Sequence, residues 1–205
     1  MATYRSLTSR LLTVAAMFAL VWGTGIDAQT PLALSNTRIS IAGTSNVHDY
    51  SATTTVAKVT RVQIGNASAG PEFWQALQMP GGLAAFEIAI PAESLKSAKE
   101  GLDKNMYKAL KTKEHADIVF RLAKIEPGPA GTLAASGTLR IAGVEREVTL
   151  PLKAVRTADG LAVSGAVDVL MTDFGIAPPK AMLGMVKADP KIKVTFEVVL
   201  GTTTT

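Results

Sequence analysis

Apolar and polar residues alternate with a period of two along most of this chain, the pattern of strands that bury one face. Ile39 and Ile41 are interleaved with Arg38, Ser40 and Ala42. The pattern recurs, less regularly, from Val56 to Ile64 around Lys58, Thr60 and Arg61. Phe86, Ile88 and Ile90 share a face opposite Glu87 and Ala89, and Ile118, Phe120 and Leu122 share another, split by Arg121. Leu139 and Ile141 follow, then Val148, Leu150 and Leu152, then Leu161, Val163, Val167 and Val169. Ile192, Val194, Phe196 and Val198 close the series, with Lys193, Thr195 and Glu197 facing away. These segments predict about eight strands with short links, an all-β antiparallel barrel or sandwich.

The links support that reading. Ala142-Gly143-Val144-Glu145 links two alternating runs closely enough for a hairpin, and Thr157-Ala158-Asp159-Gly160 carries an Asp-Gly pair. Two stretches break the period. Leu102, Met106 and Leu110 recur at steps of four, which places them on one helix face, with Gly101 weakening the start of that helix. A second short helix is predicted over Glu72–Leu77, between Pro71 and Pro80-Gly81-Gly82. Residues 201–205 read as a disordered tail.

The first 28 residues do not fit this domain. Arg5 and Arg10 precede an apolar run of about a dozen residues, Leu11 to Trp22, and small and polar residues follow. That is the layout of a signal peptide, with cleavage expected after Ala28 and export to the periplasm or the medium. A membrane span needs about 20 apolar residues, so no integral span is expected after cleavage. The chain has no cysteine, which excludes disulfides, thiolate nucleophiles and cysteine-type metal sites together. Its 205 residues suit one domain. The net charge of +4 is a weak bias, and the loose basic cluster from Lys96 to Lys113 lacks the dense stripe and interleaved aromatics of a nucleic-acid interface.

The sequence offers little for catalysis. His48 and His115 are the only histidines, with no metal-ligand spacing between them. No nucleophile elbow is present, and Gly43-Thr44-Ser45 lacks the lysine of a phosphate loop. Glu145 and Glu147 leave a turn as alternate residues, and Asp49, Asp168 and Asp173 read as turn or surface positions. No catalytic residue, cofactor or metal is expected. What remains is apolar volume. Valine, alanine and glycine recur at inward positions and only 5% of residues are aromatic. An eight-stranded barrel holds either its own side chains or one small ligand, and both readings stay open at this point.

Four motifs, in order, resemble the YceI-like family. They are Gly43-Thr44-Ser45-Asn46-Val47-His48-Asp49-Tyr50, the helical stretch Gly101–Lys111 followed by His115–Phe120, the hairpin Gly137–Val144, and Met171–Pro179. The resemblance spans about Leu34 to Leu200. The chain departs from it in lacking the proline common near Ala116, and the stretches 43–50 and 62–82 differ from the best-known polyisoprenoid binders. The resemblance implies a lipocalin-like barrel of about eight strands with a short helical insertion, exported to the bacterial periplasm. It implies binding of a long isoprenoid or similar amphiphilic lipid, with no catalytic residues.

On this reading the lining candidates on the strands are Phe86, Ile88 and Ile90, then Phe120, Leu139 and Ile141, then Leu150, Val167, Val169, Val194 and Phe196. Met106 and Leu110 of the helix are expected to cover the barrel mouth. The competing reading is a periplasmic accessory module with a closed core, its partner contact at Phe73-Trp74. A hydrolase is the weakest alternative. Monomer and homodimer are both compatible with the sequence.

Overall fold

The computed structural model describes residues 32–67, 70–181 and 185–202. The expected signal peptide and its expected cleavage site lie outside them. Among the described residues, eleven strands and two α-helices run in the order β1 (Leu32–Ser45), β2 (Tyr50–Thr54), β3 (Lys58–Ile64), α1 (Phe73–Ala76), β4 (Leu83–Pro91), β5 (Lys96–Ser97), α2 (Glu100–Leu110), β6 (Asp117–Pro127), β7 (Leu133–Ile141), β8 (Val144–Thr157), β9 (Gly160–Leu170), β10 (Lys180–Ala181) and β11 (Val186–Thr202). The antiparallel sheet has the order β3-β4-β6-β7-β8-β9-β11-β1-β2-β5, with β10 paired to β11. It curls into a half-barrel of lipocalin-like form whose edges are β3 and β5.

All eight alternating segments are strands. The three additional ones are β2, β5 and β10. Two are only two residues long, and β2, Tyr-Ser-Ala-Thr-Thr, has too little apolar contrast to announce itself. The strand expected from Val56 begins at Lys58, because the Val56 N–H turns back to the Thr54 hydroxyl at 3.0 Å and ends β2 instead. The expected tail is shorter than its five residues. Gly201 and Thr202 continue β11 and pair with Ala33 and Leu32, and residues 203–205 lie outside the described part.

Curvature comes from breaks in register. β1 shifts against β11 between Ser35 and Arg38, where Asn36 takes a left-handed conformation (φ 48°) that asparagine tolerates better than most residues. Further shifts lie in β3–β4 and β6–β7. The Ala142–Gly143 link is a two-residue hairpin with positive φ at both positions (49° and 82°), the primed turn whose twist matches the strands it joins. Gly143 also leaves room for a neighbour, since a Cβ there would lie 2.4 Å from His115 Nε2. His115 is thus a packing residue over this turn.

The outer face is polar. Arg121 bridges Glu87 at 2.5 Å and Glu145 at 2.9 Å, linking β4, β6 and β8. Partial burial works to raise the Glu87 pKa. Hydrogen bonds from Thr60 and Arg121 outweigh it and hold the carboxyl below its usual range.

Candidate ligand-binding cavity

The inner faces of the strands enclose an elongated cavity of about 420 Å³, bounded almost wholly by carbon. Its volume falls within the range of ligand pockets, about 300–1,000 Å³. The wall is built by the period-two pattern. Phe86, Ile88 and Ile90 of β4 face Phe120 of β6, and Leu139 and Ile141 of β7 stand beside Leu150 of β8. Val167 and Val169 of β9 pair in register with Val194 and Ile192 of β11, and Phe196 completes that side. Met106 and Leu110 of α2 contribute from the mouth. All thirteen residues singled out from the sequence stand on this one wall.

The wall extends beyond these thirteen. Ile39 and Ile41 of β1, Ile118 and Leu122 of β6 and Leu161 and Val163 of β9 line it too and follow from the same alternation. Leu77 and Leu32 do not follow from it. Leu77 lies just beyond a four-residue helix and Leu32 at a strand end, yet they are only 2% and 1% exposed.

Small residues keep the lumen open. Ala52, Ala135 and Ala154 line it without filling it. Gly165 interrupts the run Leu161, Val163, Val167, Val169 at the position directly opposite Phe196. A Cβ at Gly165 would lie 2.5 Å from Phe196 Cζ, so the ring lies along the wall over the glycine instead of crossing the lumen. Tyr50 does the same over its partner Gly43, where a Cβ would lie 2.4 Å from the phenol oxygen.

The two ends differ. At one, Leu32, Leu77, Phe86, Leu161 and Leu200 pack together, with Phe73 and Trp74 of α1 against them. The two aromatic rings meet edge-on at 5.2 Å and the Arg156 guanidinium covers Trp74 at 5.2 Å. Phe73 and Trp74 are therefore half-buried parts of a plug, and only part of each ring is left for the contact expected of an interaction module. At the other end lies α2, with Ala109 and Leu110 packed near Met171, Phe174 and Ile176.

Polar contacts hold α2 in place. The Tyr107 hydroxyl reaches the carbonyls of Leu95 (2.7 Å) and Glu93 (2.9 Å) and accepts from Lys96 Nζ (2.7 Å), while the Thr112 hydroxyl donates to Glu93 (2.7 Å). Asp103 accepts the Ser97 N–H at 2.8 Å. Hydrogen bonding from Ser97, through its hydroxyl and its backbone N–H, holds the Asp103 carboxyl below the ordinary aspartate range, and Lys96 adds to this. The helix starts at Glu100, two residues before the steps of four begin at Leu102, so Gly101 lies inside its first turn.

Among the described residues no three histidine, aspartate or glutamate side chains gather as a metal site, and no helix is long and apolar enough to cross a membrane.

The profile of the YceI-like domain family matches residues 28–200. The chain belongs to the YceI-like family. No curated protein matches its sequence significantly. Among solved structures it is similar to BcnA of Burkholderia cenocepacia, with a TM-score of 0.63 at 13% identity, covering 80% of this chain and 96% of BcnA. A polyisoprenoid binding domain from Saccharophagus degradans gives 0.61 at 12% identity, over 85% of this chain and 99% of that one. A YceI protein of Campylobacter jejuni gives 0.54 at 18% identity, over 79% and 85%. At these identities the likeness establishes the shared fold.

Proposed function

We propose that this protein binds one long-chain isoprenoid or similar amphiphilic lipid inside the half-barrel and acts by carrying or sequestering it, without catalysis. The observation that carries this reading is the continuous carbon-lined cavity, on whose wall the alternating strands converge. Withdrawing a chain from water gains about 0.8 kcal/mol for each CH₂ equivalent. Burial of many such groups drives binding without a dense set of hydrogen bonds. The description of the Saccharophagus relative as a polyisoprenoid binding domain supports the choice of ligand class. The leader pattern supports a periplasmic or secreted location, where a soluble carrier of an insoluble lipid has work to do.

Native mass spectrometry after gentle purification tests the binding. The expected result is a mass increment of several hundred daltons that organic extraction removes and added isoprenoid restores. A protein that carries no lipid and takes up none defeats the proposal. N-terminal sequencing of the exported form tests the location, with Gln29 expected as the first residue and Met1 in a membrane fraction as the contrary result.

A further inference from the structure

The cavity is not uniform in polarity along its length. Six lining residues bear side-chain nitrogen or oxygen: Ser45, His48, Tyr50, Ser51, Asn105 and Gln78. Gln78 alone belongs to the α1 end, and its Nε2 is taken up by the Trp74 carbonyl at 2.9 Å. The other five cluster at the β1–β2 hairpin and on α2. Ser45 is occupied in its own turn, donating to the His48 carbonyl at 2.7 Å. The side chains of His48, Tyr50, Ser51 and Asn105 make no hydrogen bond among the described residues; Tyr50 is half-buried and the other three are exposed at the rim.

A second observation gives this end a destination. His48, Tyr50 and Ser51 also line a polar groove on the outer side of the same hairpin, so they form the boundary between carbon and water. The groove is edged by Lys99, Lys191 and Lys193 and by Asp49, Asp168 and Asp189, three charges of each sign. Lys191 Nζ pairs with Asp168 at 2.9 Å, and the Asp189 carboxylate accepts the Lys191 N–H at 2.7 Å. The charges cancel, so the groove attracts polarity without favouring an ionised group of either sign.

We propose that this boundary is a head-group subsite: the cavity takes an amphiphile tail-first toward Leu32 and Leu77 and holds an uncharged, hydrogen-bonding head at His48, Tyr50 and Asn105. The subsite rests on the reading that the cavity holds a lipid, and it adds orientation and head chemistry to it. Tyr50 is the best placed donor. Its ring is seated over Gly43, so the hydroxyl is fixed at the boundary before any ligand arrives. A phenol carries its proton at neutral pH in any case, and burial, then the charge of Asp189, raise its titration further. A hydroxyl or carbonyl head accepts that proton's hydrogen bond, whereas a hydrocarbon offers no acceptor.

Three C20 probes of matched chain separate the possibilities: phytol, phytane and phytyl diphosphate, each delivered from cyclodextrin to the purified protein and followed by native mass spectrometry. Phytol is expected to bind at least ten-fold more tightly than phytane or the diphosphate. The double substitution Tyr50→Phe with His48→Ala is expected to bring phytol down to the level of phytane, with circular dichroism reporting that the barrel is intact. A phytyl ether with benzophenone at its head is expected to cross-link to residues 45–61 or 100–110.

Equal affinities for phytol and phytane, tighter binding of the diphosphate, or cross-links confined to residues 71–83 overturn the subsite while leaving lipid binding in place. Failure of all three probes to bind overturns the lipid-binding reading, and the subsite with it.

Discussion

The α1 end and the α2 end of the half-barrel are closed by different physics. At the α1 end the closure is apolar and close-packed. Leu32 and Leu77 are almost wholly buried, and backbone approaches backbone so tightly that a Cβ at Gly82 would lie 2.0 Å from the Ala76 carbonyl oxygen. At the α2 end the helix is pinned by hydrogen bonds on its outer side, through Tyr107, Asp103 and Thr112, while its apolar face looks into the lumen. These hydrogen bonds are part-buried, and Asp103 and Thr112 are themselves buried, so this closure rests on directional polar contacts where the other rests on dense apolar packing. One end is therefore a close-packed apolar floor and the other a hydrogen-bonded cover.

The largest effect that sharpens this contrast belongs to the floor. Leu77→Ala is expected to cost about 3 kcal/mol, the range for emptying a buried leucine site, whereas Met106→Ala on the half-buried face of α2 is expected to cost about 1 kcal/mol. Urea unfolding followed by circular dichroism compares them, and equal costs would erase the distinction between floor and cover. Next comes Gly165→Ala. The added methyl meets both Phe196 and the Pro151 carbonyl oxygen, each at 2.5 Å, so a loss of about 2 kcal/mol is expected as the ring is pushed into the lumen. A matching fall in lipid load by native mass spectrometry accompanies it.

A pH dependence separates the ends without mutation. The Asp103 carboxyl titrates below its value in the unfolded chain, about 3.9, so the stabilisation it gives is complete above that value and is lost as pH falls through the lower, folded one. Hydrogen exchange, corrected for intrinsic rates, is expected to quicken in α2 on acidification below about pH 4 before it quickens in α1. Asp103→Asn is expected to abolish the step. Synchronous loosening at both ends would mean that Asp103 does not pin the cover.

The smallest effect is expected at Arg121, on the outer face and far from either closure. Its side chain is about half exposed, so Arg121→Ala is expected to cost less than about 1 kcal/mol, and less again in high salt. Thermal unfolding at two ionic strengths measures it.

The wall of the cavity was legible because alternation is a local property. Each strand states which of its faces is apolar, and a sheet that curls once brings all those faces to one interior. Hence Phe86, Phe120, Val167 and Phe196, far apart in the chain, stand around one lumen. The α2 face was legible for the same reason at a different period, and the Ala142–Gly143 turn because glycine at hairpin spacing has few other uses. The packing of Phe73 and Trp74 was not legible, since two aromatics in an irregular stretch say nothing of what covers them.

The sequence by itself thus determined the β class, the inward set of side chains and the presence of one amphipathic helix, since these depend on near neighbours and on the fixed geometry of strand and helix. Tertiary structure alone decided three things. It made Leu77 and Leu32 into a floor, because burial there depends on segments more than a hundred residues apart. It laid Phe196 over Gly165 and Tyr50 over Gly43, because those pairs exist only once the strands are in register. It brought His48, Tyr50 and Asn105 to one rim of an apolar cavity, since a polar residue at a boundary is distinguished from any other surface residue only by what the rest of the chain places behind it.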